Sequence, residues 1–308
     1  MTATQRPFSG PGDLQSMTAL VNCYPDANMR VTDLPWRFTS WALDFPDNVG
    51  LWVDGNGHLL GWAVMQTPFW TIDYALHPQA DPVLHREILA WADDRAQKIV
   101  DSASGRPVWF VNVFTSQTQR IADLEAAGFA SQSDVGENSW TKVLVQRPDG
   151  LAVQPTFLPD GFTIRPLAGE SEVAGYVSLH QDTFESKSMT AEWRQRTLQF
   201  PSYTPNLDLM AIAPDGRLAA FCVCWLNKES TDGVHGQIEP LGVHKDFRKL
   251  GLGRSILSEG IRRLQQHGAG SIYVETDNYR DEAFLLYESV GFRVQHDVLV
   301  YRKEYVEF

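Results

Sequence analysis

The sequence predicts an α+β (mixed α/β) fold built twice over, and three observations predict it. A short apolar strand, Leu241-Gly-Val243, runs through a basic, glycine-containing turn, Arg248-Lys-Leu-Gly-Leu-Gly-Arg254, into an amphipathic helix. A later helix closes on Leu286-Tyr-Glu-Ser-Val-Gly-Phe292. The same order of elements recurs in the first half, where Leu124-Glu-Ala-Ala-Gly-Phe129 is the counterpart of that closing segment.

Taken in order, the first half reads as helices near 12–22 and 34–43, then strands near 49–53 and 58–66 around Asp54-Gly-Asn-Gly57. A strand near 70–76, a helix over 82–100, a strand over 108–114 and a helix over 117–127 follow. Residues 147–160 are rich in Pro and lack periodicity, so they read as a linker between domains at 1–150 and 151–308. The second half opens with a strand at 161–166 and helices at 172–183 and 191–199. A hairpin at 207–213 and 217–225 turns on Pro214-Asp-Gly216. After the fourth strand, Leu257, Ile261 and Leu264 recur at helical spacing. A strand at 271–276, the last helix, and strands near 292–295 and 298–305 complete the chain.

Composition narrows the function. The 308 residues are 43% apolar and 21% charged, enough for two domains that each bury a core. There is no run of eighteen apolar residues to suggest a membrane span, and the N-terminus lacks the apolar core of a secretory signal, so the expected compartment is cytoplasmic. Three cysteines are too few and too scattered for a metal site; Cys222 and Cys224 read as buried thiols on a strand. A net charge of −12 argues against nucleic acid as a partner. It suits a cationic small molecule, or serves solubility alone.

Against that acidic background, Lys245, Arg248, Lys249 and Arg254 form a basic island on the turn. A strand–turn–helix junction aims unpaired backbone N–H groups outward, which suits a phosphate. Gly251 and Gly253 let such a ligand approach the backbone. Arg248-Lys-Leu-Gly251-Leu-Gly253 resembles the pyrophosphate loop of the GNAT superfamily, the acyl-CoA-dependent N-acetyltransferases, and the segments Glu239–Val243 and Leu286–Phe292 resemble the same family. The resemblance implies tandem GNAT folds, each with a mixed, mostly antiparallel sheet flanked by helices. It implies acetyl-CoA as cosubstrate, held by Leu241, Gly242, Val243, Arg248, Lys249, Leu250, Gly251, Leu252, Gly253, Arg254, Asn278 and Tyr287. Asn278 departs from the family spacing by two residues, and Arg280 stands at the usual place.

The chemistry needs a neutral amine, a polarised thioester and a proton for the leaving thiolate. The resemblance gives the proton to Tyr287, four residues before Gly291; a phenol is a sound donor to a thiolate. Glu239 and Glu275 are both candidates for the base, or for a carboxylate that binds a cationic acceptor. His180, Asp182 and Glu185 read as solvent-exposed, and His244 as non-catalytic. The first copy is degenerate for the cofactor. Asp81 stands where Arg248 does, Leu84 for Gly251, Arg86 for Gly253 and Leu124 for Tyr287, and Pro82 removes an N–H from the turn. That half also holds eight of the ten tryptophans, expected mainly in the core, with one or two lining an acceptor pocket. A weak first copy beside an intact second resembles the architecture of mycothiol synthases. The expected function is acetyl transfer to a primary amine of a small molecule, with an aminoglycoside- or polyamine-type acceptor or a non-catalytic acyl-CoA sensor as alternatives. The oligomeric state is left open.

Overall fold

A computed structural model of the chain describes residues 3–25, 27–28, 33–153, 155, 157–230 and 233–306. The first half contains β1 (Thr4–Pro7), α1 (Pro11–Cys23), α2 (Leu34–Phe38), β2 (Val49–Val53), β3 (Leu59–Gln66), β4 (Thr71–Leu76), α3 (Val83–Ile99), β5 (Val108–Phe114), α4 (Thr118–Ala126), β6 (Ala130–Ser131) and β7 (Lys142–Arg147). The second contains β8 (Thr163–Pro166), α5 (Val173–Phe184), α6 (Ala191–Gln199), β9 (Asp208–Ile212), β10 (Leu218–Asn227), β11 (His235–Val243), α7 (Leu252–Gln266), β12 (Ser271–Asp277), α8 (Asp281–Ser289) and β13 (Arg293–Glu304).

Local chemistry explains most of these elements. In α7 the buried Leu252, Ile256, Leu257, Ile261 and Leu264 form one apolar stripe. That stripe packs on Leu209, Cys222, Ile238 and Ile272 of the sheet. Truncating one member, as in Ile261→Ala, would cost about 2–5 kcal/mol. Strands β3 and β10 are buried along nearly their whole length because helices cover both faces of the sheet. The helix expected over 34–43 stops at Phe38. Thr39 Oγ1 donates back to Pro35 O, and Ser40 Oγ accepts from Ala42 N to start a separate 3₁₀ turn, Trp41–Asp44.

The strands form a single sheet in the order β1-β2-β3-β4-β5-β13-β7-β12-β11-β10-β9-β8, with β6 pairing β13 outside this path. Pairs β4–β5 and β11–β12 are parallel, while the outer ladders and those made by β7 and β13 are antiparallel. The two halves mirror each other outward from the centre, but their last strands are exchanged. β7 of the first half pairs with β12 from Ile272↔Arg147 to Asp277↔Lys142. β13 of the second half pairs with β5 from Val298↔Phe114 to Glu304↔Val108.

Two expectations change accordingly. The pair of strands near 292–295 and 298–305 is one strand, Arg293–Glu304, whose register against β7 shifts between Val294 and His296. The segment expected to open a linker at Arg147 is instead anchored: this arginine is 2% exposed and donates to the carbonyls of Val290, Leu151 and Ala152. Gln154 and Thr156 of that segment lie outside the described residues.

Beyond the sheet, Trp36 of α2 packs among Tyr176, Trp193, Phe221 and Trp225 of the second half. Trp193 Nε1 donates to Trp36 O at 2.9 Å, and Thr39 Oγ1 meets Thr197 Oγ1 at 2.9 Å. Of the first half's eight tryptophans, expected mainly in the core, four are buried, Trp36, Trp52, Trp62 and Trp109, while Trp70 is 39% exposed; Trp193 and Trp225 of the second half are buried too.

Candidate active site

The site begins where two parallel strands part. β11 pairs with β12 only over His235–Gln237 and Ser271–Tyr273, although β11 runs on to Val243 and β12 to Asp277. On its other edge β11 stays paired with β10, through a register shift that places an extra residue of β11 between Ile238 and Leu241. The strand end near Leu241–Val243 therefore faces a wedge on its β12 side. There the backbone has no β12 partner, although Val243 O accepts from Arg248, so the strand edge can meet an extended amide-bearing ligand. Gly242 is required at this point, since a Cβ would lie 2.5 Å from Phe221 Cζ and 2.7 Å from Thr183 Cγ2.

At the mouth of the wedge the chain turns into α7. Gly251 caps the helix at φ 84, and Lys249 also takes a positive φ, 62. From Lys249 to Arg254 the backbone N–H groups meet no acceptor among the described residues. That is the arrangement expected for a phosphate at a helix N-terminus. Leu250 is 46% exposed, whereas Leu252 is buried beside Phe247 and anchors the first turn. The exposed Arg248 donates to Val243 O and Thr183 O, bridging the strand end to α5. Arg254 leans the other way, toward Ser289 O.

In the first half the equivalent turn is closed. Asp81 Oδ1 accepts from Val83 N at 3.0 Å and Asp81 O from Leu84 N at 2.9 Å, so the chain's own carboxylate sits where a phosphate would bind. Leu124, the counterpart of Tyr287, is fully buried.

A cavity of about 400 Å³ runs from the wedge into the space between the halves. Leu241, Gly242, Val243, Gly253, Tyr287, Glu239 and Glu275 line it, joined by Asp33, Arg37, Asp73 and Lys142 from the first half. Asn278 does not. Its carboxamide oxygen accepts from Thr141 N, and its own N–H donates to Thr141 O, which pins the exchanged strand. His180, expected on the surface, is 8% exposed and stacks on Phe221, and burial lowers its pKa to about 3. Asp182 and Glu185 are exposed as expected.

The charged groups in the cavity sort into pairs. Lys142 Nζ lies 2.8 Å from Glu275 Oε1. Arg37 lies 3.0 Å from Asp73 and 3.3 Å from Asp33, and Arg280 lies 3.0 Å from Asp277. The Glu239 carboxylate has no ion pair or side-chain hydrogen bond among the described residues; only its backbone oxygen is engaged, by Trp225 Nε1. Burial, reinforced by the charge of Asp33, raises its pKa to about 8. Burial also pushes Glu275 upward, but the Lys142 ammonium and Arg37 more than offset this and leave it below the usual value. The two carboxylates thus differ sharply in which protonation state they favour. Tyr287 is buried, packs edge-on against Phe292, and is pushed well above the ordinary phenol value by burial and then by Glu239.

Residues 174–292 match the Acetyltransferase (GNAT) family. The chain carries a GNAT acetyltransferase domain. Acetyl-CoA is the cosubstrate of GNAT enzymes. A mycothiol acetyltransferase of Streptomyces avermitilis is 28% identical over 160 residues, 50% of this chain and 50% of that protein. One from Acidimicrobium ferrooxidans is 26% identical over 216 residues, 68% of this chain and 60% of its own length. The match thus spans about half the length of the first of these relatives.

Among solved structures, a GCN5-related N-acetyltransferase from Sphaerobacter thermophilus superposes with TM-score 0.67 at 18% identity, covering 99% of this chain and 96% of that one. A tandem GNAT protein from the clavulanic acid biosynthesis pathway gives TM-score 0.66 at 13% identity and covers 100% of both chains. At these identities the likeness shows the fold: GNAT-like architecture extends across both halves.

Reading the sequence alone missed the first-half side chains that reach the GNAT cavity: Asp33, Arg37, Asp73 and Lys142. One local signal was available. Lys142-Val-Leu-Val-Gln-Arg147 is rich in β-branched and apolar residues and reads as a strand. Nothing local shows that it pairs with β12. Among the described residues no group of three or more His, Cys, Asp or Glu side chains is placed to hold a metal ion, and no helix is long and apolar enough to cross a membrane.

Proposed function

We propose that this protein moves an acetyl group from acetyl-CoA to a primary amine of a small molecule, at a site in its second half (151–308) that the first half (1–150) walls in. The observation that carries this reading is one cavity joining the β11–β12 wedge to Tyr287 and to the buried Glu239, which has no ion pair among the described residues. Leu241–Val243 would hold the pantetheine amides and orient the thioester oxygen, and the turn from Arg248 to Arg254 would hold the phosphates.

The acceptor enters as an ammonium ion. Glu239, ionised above about pH 8, takes its proton directly or through a water. The neutral nitrogen then attacks the thioester carbon; a C–N bond forms and the C–S bond breaks. Tyr287 gives its hydroxyl proton to the departing sulfur and regains one from the acylated nitrogen, so the products are an amide, free CoA thiol and the proton carried off by Glu239. Glu275, neutralised by Lys142, orders the cavity wall instead of accepting the proton.

Because the first half's turn is closed by Asp81, one acetyl-CoA binds per chain. We place the reaction in the cytoplasm, where the free thiols of Cys222 and Cys224 stay reduced. The relatives' mycothiol-related acceptor is not assigned to this chain. Screening primary amines with acetyl-CoA while following released thiol tests the proposal. Thiol release that depends on an amine supports it, and release with none of the amines sinks it.

A further inference from the structure

The first half has a wedge of its own. β4 and β5 pair in parallel only at Thr71–Phe110, yet β4 continues to Leu76 and β5 to Phe114. With the helix turn beside it closed by Asp81, this wedge does not take phosphates; it opens into the same cavity through Thr71, Tyr74 and Asn112. Among the described residues the buried Asn112 side-chain oxygen meets no hydrogen-bond partner, and the buried Tyr74 hydroxyl meets none but the Arg120 guanidinium. Native proteins rarely leave such atoms unmet.

Arg120, on the first turn of α4, lines this end. Its guanidinium lies over the Tyr74 ring at 5.4 Å and donates to Asn28 Oδ1 at 3.3 Å. Of the four cationic side chains that line the cavity among the described residues, Arg37, Lys142 and Arg280 are each within 3.3 Å of a carboxylate. Arg120 has none within 4 Å among the described residues. The carboxylate nearest in sequence, Asp123, is already held by His85 and Arg86. The first turn of α4 carries no acidic residue either, so the helix dipole adds to the positive field.

The cavity therefore holds uncompensated charge of both signs. Among the described residues Glu239 has no ion pair, and the Asp33–Arg37–Asp73 group carries one carboxylate more than its arginine offsets. On the first-half side Arg120 presents a guanidinium with no carboxylate partner among the described residues. We propose that the acceptor is zwitterionic: its reacting amine faces Glu239, and an anionic group at its far end is held by Arg120 in the first-half wedge. This rests on the acetyl-transfer reading above and adds the class of acceptor and a specificity-determining residue. Tyr74 and Asn112 supply hydrogen bonds to polar groups beside that anion.

A series of ω-amino carboxylates of increasing chain length, each paired with its neutral carboxamide, tests the assignment. With the wild-type protein, kcat/KM should favour the carboxylate of the best-fitting length by roughly ten- to a hundredfold, the range expected for a charge-assisted hydrogen bond. Arg120→Gln should abolish that preference mainly through KM, and Arg120→Lys should restore part of it. Glu239→Gln should instead slow both members of each pair. Sulfonate and phosphonate analogues then identify which anion fits best. Equal kcat/KM for the carboxylate and carboxamide members in the wild type, or a preference that survives in Arg120→Gln, overturns the proposal. Should no amine be acetylated, the acetyl-transfer reading fails by itself. Calorimetry of the same ω-amino carboxylates with CoA present still decides the anion site: binding weakened in Arg120→Gln supports it, and unchanged or absent binding refutes it.

Discussion

Glu239 and Glu275 are both glutamates on neighbouring strands and face one cavity, yet their surroundings assign them opposite states. Lys142 lies against Glu275 and keeps it ionised, while Glu239 is buried near Asp33 with no cation paired to it among the described residues. A base that titrates near pH 8 is well matched to an ammonium substrate, so kcat/KM should rise through about pH 8. Glu239→Gln should remove that inflection, with its largest deficit between pH 8 and the pKa of the amine. A variant matching the parent at every pH would exclude Glu239 as the base. The raised pKa also bears on stability. Folding favours the protonated form, so the benefit is full below the ordinary glutamate value and is lost as pH rises through about 8. Glu239→Gln should therefore raise Tm at pH 9 and leave it nearly unchanged at pH 4. For Tyr287→Phe we expect roughly a 10²-fold loss of kcat with little change in acetyl-CoA affinity, since only the proton donor is removed. A fully active Phe variant would leave Tyr287 as packing. At this scale the sequence marked the two glutamates and the tyrosine. Its flanking segment slightly favoured Glu239, but the residue that separates the two, Lys142, lies 133 positions before Glu275 and nothing local to either glutamate announces it.

The turn before α7 was the most legible element, because its chemistry is local: glycines, basic residues and a helix start within a dozen positions. The structure adds that Gly251 adopts φ 84 with nothing within 4 Å of where a Cβ would stand. A side chain there costs about 1 kcal/mol in backbone conformation and does not clash. Gly251→Asp should accordingly fold but lose at least tenfold in acetyl-CoA affinity by calorimetry. Gly251→Asn, which tolerates the left-handed conformation and adds no charge, should lose much less. Equal affinity for all three proteins would remove the phosphates from this turn. The opposite case is β7. Its residues suit a strand, but a strand pairs through backbone groups that carry no sequence label, so its place between β12 and β13 could not be read.

For the whole molecule, the duplication was visible as a repeated order of elements, whereas the exchange of final strands was not. Each half depends on the other for a central strand, through the β7–β12 and β5–β13 ladders. Residues 151–308 produced alone would expose the β12 edge and leave most of β13 without partners, and should aggregate or lack activity. Produced together, 1–150 and 151–308 should copurify in equal amounts and recover thiol release. A lone second half that acetylated the same amines equally well would remove the first half from the acceptor site. The exchange also has a consequence in time. As the chain emerges from the ribosome, β5 must wait for β13, roughly 180 residues later, before its edge is paired. At common rates of synthesis that is about 10–40 seconds, during which an apolar strand edge lies open to other nascent chains. Coding changes that slow translation between β5 and β13 would lengthen that interval and lower the yield of native protein without altering a single amino acid.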